Sequence, residues 1–133
     1  MNRKTLLTAL MLMIATALMA RISLAADPLE VASEMYKLKF ENEHVRVMEV
    51  TFQPGQSIAE HSHPNHFVFV EEGGQLTITK DDGTVTDADL KAGDIVWLDA
   101  ETHSAVNKGS TVVRLLVTEL KESKPAAETT AVE

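Results

Sequence analysis

Three of the five histidines in this chain fall within six residues, in 61-HSHPNH-66, and a fourth, His103, stands about forty positions further on. Neutral imidazole is the commonest protein ligand for transition metals. Four such groups would make a metal centre if the fold brought them together, and a polar loop rich in imidazole if it did not. An isolated H-x-H is weak on its own, so the surrounding elements decide. No other chemistry competes for the role: the chain has no nucleophile with a nearby base, no phosphate-binding glycine loop and no dinucleotide glycine pattern.

The elements that must position these histidines read as strands. EHVRVMEVTF ends at the turn pair Pro54-Gly55. SIAEHSH, FVFVEE, QLTITK, TVTDADL, IVWLDA, HSAVN and TVVRLLVTEL follow, with Gly73-Gly74, Asp81-Asp82-Gly83 and Ala92-Gly93-Asp94 between them. Turn signals recur about every ten residues, and no interior segment has helical periodicity; this is the pattern of a β-sandwich or barrel. Only DPLEVASEMY could form a turn or two of helix. Side chains alternate along a strand, so His61 and His63 point the same way. His66 heads FVFV on the face of Val68 and Val70, with Phe67 and Phe69 on the other. In a small closed barrel strand ends meet around one mouth, where His103 could join them.

The spacing resembles the cupin superfamily, whose first motif runs G-x5-H-x-H-x3,4-E-x6-G. Here Gly55 is followed by five residues, then His61 and His63, then two residues, His66, six residues and Gly73. The loop is one residue short, and histidine stands where cupins usually carry glutamate. The second motif, G-x5-P-x-G-x2-H-x3-N, is degraded. Gly93, His103 and Asn107 keep their places, Asp99 replaces the proline and Glu101 the glycine, and one residue is missing before the histidine. The two motifs and their connector cover Gly55 to Asn107. The resemblance implies an all-β fold, a single-domain cupin jelly-roll barrel (double-stranded β-helix), with one divalent transition metal per chain in its mouth. It maps His61, His63 and His103 onto the three histidine ligands and His66 onto the glutamate. Four neutral histidines would leave a divalent ion with its full +2 charge and would remove the built-in carboxylate base.

The remainder of the chain sets the context. MNRK, an apolar run of about fifteen residues and the small residues of RISLAAD make residues 1–25 an expected signal peptide, too short to span a bilayer. Residues 26–120 would be the cupin domain and residues 121–133 a disordered C-terminal tail. Losing Arg3, Lys4 and Arg21 leaves nine basic against twenty acidic residues, a formal charge of −11. Such a surface repels nucleic acid and anionic lipid, so neither nucleic acid nor, after signal removal, membrane is expected as a partner. There is no cysteine, so no disulfide supports the fold. FVFV, IVWL and VVRLLV are apolar on both faces, which suggests a homodimer packed through a sheet.

The expectation is therefore a periplasmic or secreted metal-binding cupin acting on a small organic molecule in an apolar cup lined by residues such as Val68, Val70 and Val106. Imidazole suits zinc, copper, iron and nickel, and the resemblance adds manganese. Oxygenase-type chemistry leads, with a metal-assisted isomerase next. The alternative is a protein that binds a metal or small ligand without turning it over. Glu101 and Asn107 could orient a ligand imidazole, though Asn107 could equally be a turn residue. Trp97 is expected in core or interface, and His44 on the surface.

Overall fold

The computed structural model describes residues 26–122. The expected signal peptide and residues 123–133 of the expected tail lie outside the described residues.

After one helical turn, α1 (Pro28–Val31), nine strands follow: β1 (Tyr36–Glu41), β2 (Val45–Phe52), β3 (Ser57–His63), β4 (His66–Glu72), β5 (Gly74–Lys80), β6 (Val85–Leu90), β7 (Ile95–Leu98), β8 (Glu101–Val106) and β9 (Val113–Leu120). They form two sheets, ordered β1-β2-β9-β4-β7 and β3-β8-β5-β6, with every pair antiparallel. This is an all-β jelly-roll: the turn spacing predicts a β-sandwich or barrel, and the resemblance implies this form of it. None of the described helices is long and apolar enough to cross a membrane.

Binary patterning builds the core. Met48, Val50 and Phe52 on β2, Val68 and Val70 on β4, and Val113, Leu115 and Val117 on β9 alternate inward and are buried against Ile58, Leu76 and Ala105 of the facing sheet. Each buried side chain of this size contributes roughly 1.5–3 kcal/mol of transfer free energy. The turns are set by backbone requirements. Gly55, after Pro54, sits at φ +83°, in the left-handed region that favours glycine. Gly73 has no room for a side chain, because a Cβ there would lie 2.4 Å from the Leu90 carbonyl oxygen.

The outer face of the five-stranded sheet is apolar in register. Phe40, Val47, Thr118, Phe67 and Trp97 are successive cross-strand partners, and Leu116, Phe69 and Ile95 form the neighbouring row. Phe67 and Phe69 do face away from His66. Trp97 is not in the core: it is half-exposed on this outer face, its indole Nε1–H donating to Asp99.

Candidate metal centre

The four histidines of the two motifs converge at one end of the barrel, between the sheets. On β3, strict alternation from the buried Ile58 would turn His61 and His63 outward. A β-bulge intervenes: the pairing with β8 runs Ser57↔Val106 and Ile58↔Ala105, then slips by one residue to His61↔His103 and His63↔Glu101. The extra residue restores both imidazoles to the inner face. His66 enters from the opposite sheet, at the head of β4 beyond the Pro64-Asn65 turn. All four are buried. Ring centroids are 4.7 Å apart for His61–His103, 4.9 Å for His61–His63, 5.3 Å for His63–His103 and 4.7 Å for His63–His66. Ring nitrogens of His61, His63 and His103 lie within 4.8 Å of one another. His66 is next to His63 but outside that spread. His44 is at the surface, beside Glu43.

Each of the four rings is oriented through Nδ1. His61 donates to the Ala59 carbonyl at 2.8 Å, next to the bulge, and His66 to the Pro64 carbonyl at 2.8 Å. His63 donates to Glu119 Oε1 at 2.7 Å and His103 to Glu101 Oε1 at 2.6 Å. Protonation at Nδ1 leaves Nε2 as the lone-pair nitrogen in every case. This is how metal-binding imidazoles are held, the outer acceptor fixing both tautomer and ring angle. Among the described residues, His61 Nε2 is buried with no hydrogen-bond partner. An orphaned acceptor of this kind costs about 1–3 kcal/mol unless something satisfies it. A divalent transition ion fits the site on that observation and on the donor chemistry: His61, His63 and His103 would hold it, with His66 alongside.

Electrostatics favour binding. Burial pushes His61 down to about 4, only partly offset by the Ala59 carbonyl. Burial, helped by the His63 ring, also lowers His66 and His103. These rings are therefore neutral at pH 7, as ligands must be. Burial alone would raise the carboxylates, but it is outweighed. Lys80 and His103 hold Glu101 below the usual range, and His63 and Arg46 do the same for Glu119.

The centre borders a cavity of about 60 Å³ lined by the four imidazoles, Tyr36 and apolar side chains. It adjoins a larger chamber of about 320 Å³ between the edge strands β6 and β7, and the two share Val68, Leu76, Ile78, Leu98 and Leu115 as walls. Lys80 and Glu101, paired at 2.9 Å, are the charged groups on the chamber wall. Of the expected cup residues, only Val68 lines these spaces. Val70 is sealed in the core, and Val106 points outward because the inward side chains of β8 are His103 and Ala105.

Glu101 orients His103, as one reading of the sequence had it. Asn107 does not touch an imidazole. It is a buried turn organiser, donating to the Phe52 and Thr111 carbonyls and accepting from Gly109 N–H. Three participants escape motif reasoning: Glu119, Arg46 and Tyr36. Glu119 and Arg46 are cross-strand partners on β9 and β2, and Arg46 reaches Glu119 Oε2 through Nε at 2.8 Å and Nη2 at 2.7 Å. Tyr36, the only tyrosine, is buried with its ring 6.0 Å from His61 and 6.3 Å from His63. Burial and the Glu119 charge push its phenol up, so it stays protonated. The available signal was parity, since Arg46 and Glu119 are charges at inward positions of apolar strands.

Residues 48–119 match the family described as Cupin domain. Similar solved structures include a cupin domain from Bordetella pertussis (23% identity over 66% of this chain and 93% of that one, TM-score 0.62). A cupin superfamily protein from Desulfitobacterium hafniense is 19% identical over 66% and 77%, with TM-score 0.53. A conserved protein with a double-stranded β-helix domain from Klebsiella pneumoniae is 26% identical over 67% and 84%, also with TM-score 0.53. No curated protein matches the sequence.

Proposed function

This chain belongs to the cupin domain family, and from that premise we propose that it is an exported protein holding one divalent transition metal on His61, His63, His66 and His103 and acting on a small organic molecule. The observation that carries the reading is the shared wiring of the four rings, each with Nδ1–H donated outward and Nε2 left free. His66 shares that wiring, its burial and the cavity with the other three, which supports it as the fourth ligand. Zinc, copper, iron and nickel suit imidazole donors, and manganese enters with the family. When bound, such an ion supplies Lewis acidity toward an oxygen donor or, if redox-active, dioxygen chemistry.

The protein's own groups do the rest. The chamber walls are mostly apolar, among them Val68, Leu76, Ile78, Leu90 and Leu98, and fit an apolar body. Lys80 and Glu101 neutralise each other and offer no net charge to attract an ionic substrate. Glu101 and Glu119 are held as carboxylates and are committed to His103 and His63, so each is a poor general base. That commitment favours oxygenase-type chemistry over a base-dependent isomerase. It also supports a second reading, a binding protein that retains a metal and its ligand without turnover. Elemental analysis of protein from its own periplasm identifies the metal. Oxygen uptake with a panel of diketones, phenols and thiols separates the two readings: uptake with any of them supports the enzyme, and none in the metal-loaded protein supports the binder.

The same premise extends to a homodimer formed by two copies meeting through the outer face of the five-stranded sheet. Phe67, Phe69, Ile95 and Trp97 lie there, and flanking charges pair off as Lys39–Glu49 (3.6 Å) and Arg114–Glu72 (2.8 Å). Two copies of an acidic chain can meet on this face without opposing their net charge.

A further inference from the structure

The segment preceding β1 touches the ligand strand twice. The Ala26 carbonyl accepts Ser62 N–H at 2.9 Å, on the free edge of β3 and between His61 and His63. Asp27, its side chain 34% exposed, then starts a chain of charges that leads inward. Its Oδ1 caps α1 by accepting Leu29 N–H at 2.8 Å, and its Oδ2 accepts from Arg46 Nη1 at 2.5 Å. Arg46 forks onto Glu119 Oε2 through Nε and Nη2. Glu119 Oε1 receives the Nδ1 proton of His63 at 2.7 Å. The Arg46 side chain is 16% exposed and that of Glu119 4%.

We infer that this N-terminal arm is a working part of the metal centre: Arg46 is a positioning residue that transmits the docking of Asp27 through Glu119 to His63. The inference rests on the metal reading above and deepens it. A carboxylate with one oxygen on an imidazole can rotate unless the other oxygen is held. Two guanidinium N–H groups hold it, and Asp27 fixes the guanidinium from the far side. Arginine alone has the geometry, because a lysine ammonium cannot fork onto Glu119 and still reach Asp27 in the same plane. Coupling between two binding events is reciprocal, so a docked arm tightens metal binding and bound metal tightens the arm by the same factor.

The test measures the zinc dissociation constant of the mature protein by competition with a chromophoric chelator, and follows the His63 Nδ1 proton of the zinc form by NMR. Outer partners of metal-binding histidines are typically worth 10–100-fold in affinity. Arg46→Lys is expected to weaken zinc binding about tenfold and to displace the His63 proton signal, leaving those of His61 and His66 in place. Asp27→Asn keeps the capping oxygen but loses the charge facing Arg46, so a several-fold loss is expected from it. Arg114→Ala, which breaks an exposed ion pair elsewhere, is expected to change neither readout. Wild-type affinity and an unmoved His63 proton in Arg46→Lys and Asp27→Asn overturn the inference, even if melting temperatures fall, because a merely structural arm would give that result. Wild-type protein that takes up no zinc overturns the metal reading and this inference together. Loss in His61→Ala without loss in Arg46→Lys overturns this inference alone.

Discussion

His61 and His103 are direct cross-strand partners on β3 and β8, their rings edge to face with centroids 4.7 Å apart. The pairing is possible because the bulge between Ile58 and His61 turns β3 by one residue. Two imidazoles opposed in this way on the inner face leave His61 Nε2 buried and without a partner. The fold therefore carries a local cost that a metal ion would remove.

Chelation should accordingly lower the melting temperature. A ligand that binds only the folded state, at 1,000 times its dissociation constant, adds about 4 kcal/mol, on the order of 20 °C for a domain of this size. Differential scanning calorimetry with and without chelator measures the difference. In His61→Ala/His63→Ala the two melts are expected to coincide. Coincident melts in the wild type would count against the site.

Metal-free protein should lose stability in mild acid. Unfolded histidine titrates near pH 6.5, whereas burial holds His61 at about 4 and lowers His66 and His103. Between those values the unfolded chain binds more protons than the folded one, so stability falls as pH falls. The loss begins as pH drops through about 6.5 and saturates, for His61, near its folded value. His61 alone should be worth on the order of a few kcal/mol, and His66 and His103 act in the same direction. Urea unfolding of chelated protein at a series of pH values from 7.5 to 4.5 reads it directly. Flat stability over that range would mean solvated, ordinary imidazoles.

The mature protein should sediment as a dimer. Ile95→Glu with Trp97→Lys places charges on the outer face of β7, away from the core, and is expected to give a folded monomer at the same concentration. Wild-type protein sedimenting as a monomer, or a variant that remains dimeric, excludes this face as the interface.

Strands β2 to β9 were legible in the sequence because their alternation and turn glycines are local signals, and so was the H-x-H pair with its spacing to Gly55 and Gly73; β1 (Tyr36–Glu41) was not, because its side chains beyond Tyr36 are exposed and show no inward alternation. The bulge was not. Nothing local in Ile58-Ala59-Glu60 marks the extra residue; it appears only as the pairing of β3 with β8. Val106 was misplaced for a related reason, since the inward set on β8 follows His103 and Ala105. Glu119 and Arg46 lie 56 and 17 residues from His63, and only the pairing of β2 with β9 and the packing of that sheet against β3 unite them. Their inward parity was a usable signal, but a charge on an apolar strand does not by itself name its partner.

His66 can be tested as a ligand by comparing two substitutions. It is the cross-strand partner of Glu119 and sits beside His63. If it binds the metal, His66→Ala removes a direct ligand, and zinc affinity at pH 7 should fall by at least the 10–100-fold typical of outer partners. His66→Glu restores a donor and reduces the net charge of the loaded site from +2 to +1, so its affinity should match or exceed the wild type. Without metal, the same variant sets two carboxylates opposite each other across β4 and β9, which is destabilising, with Arg46 offsetting only part of it. Chelation should therefore lower the melting temperature of His66→Glu by more than it lowers that of the wild type. Isothermal titration with zinc and paired melts provide both quantities. If His66→Ala binds zinc within about twofold of the wild type, His66 is not a ligand, and the centre consists of His61, His63 and His103.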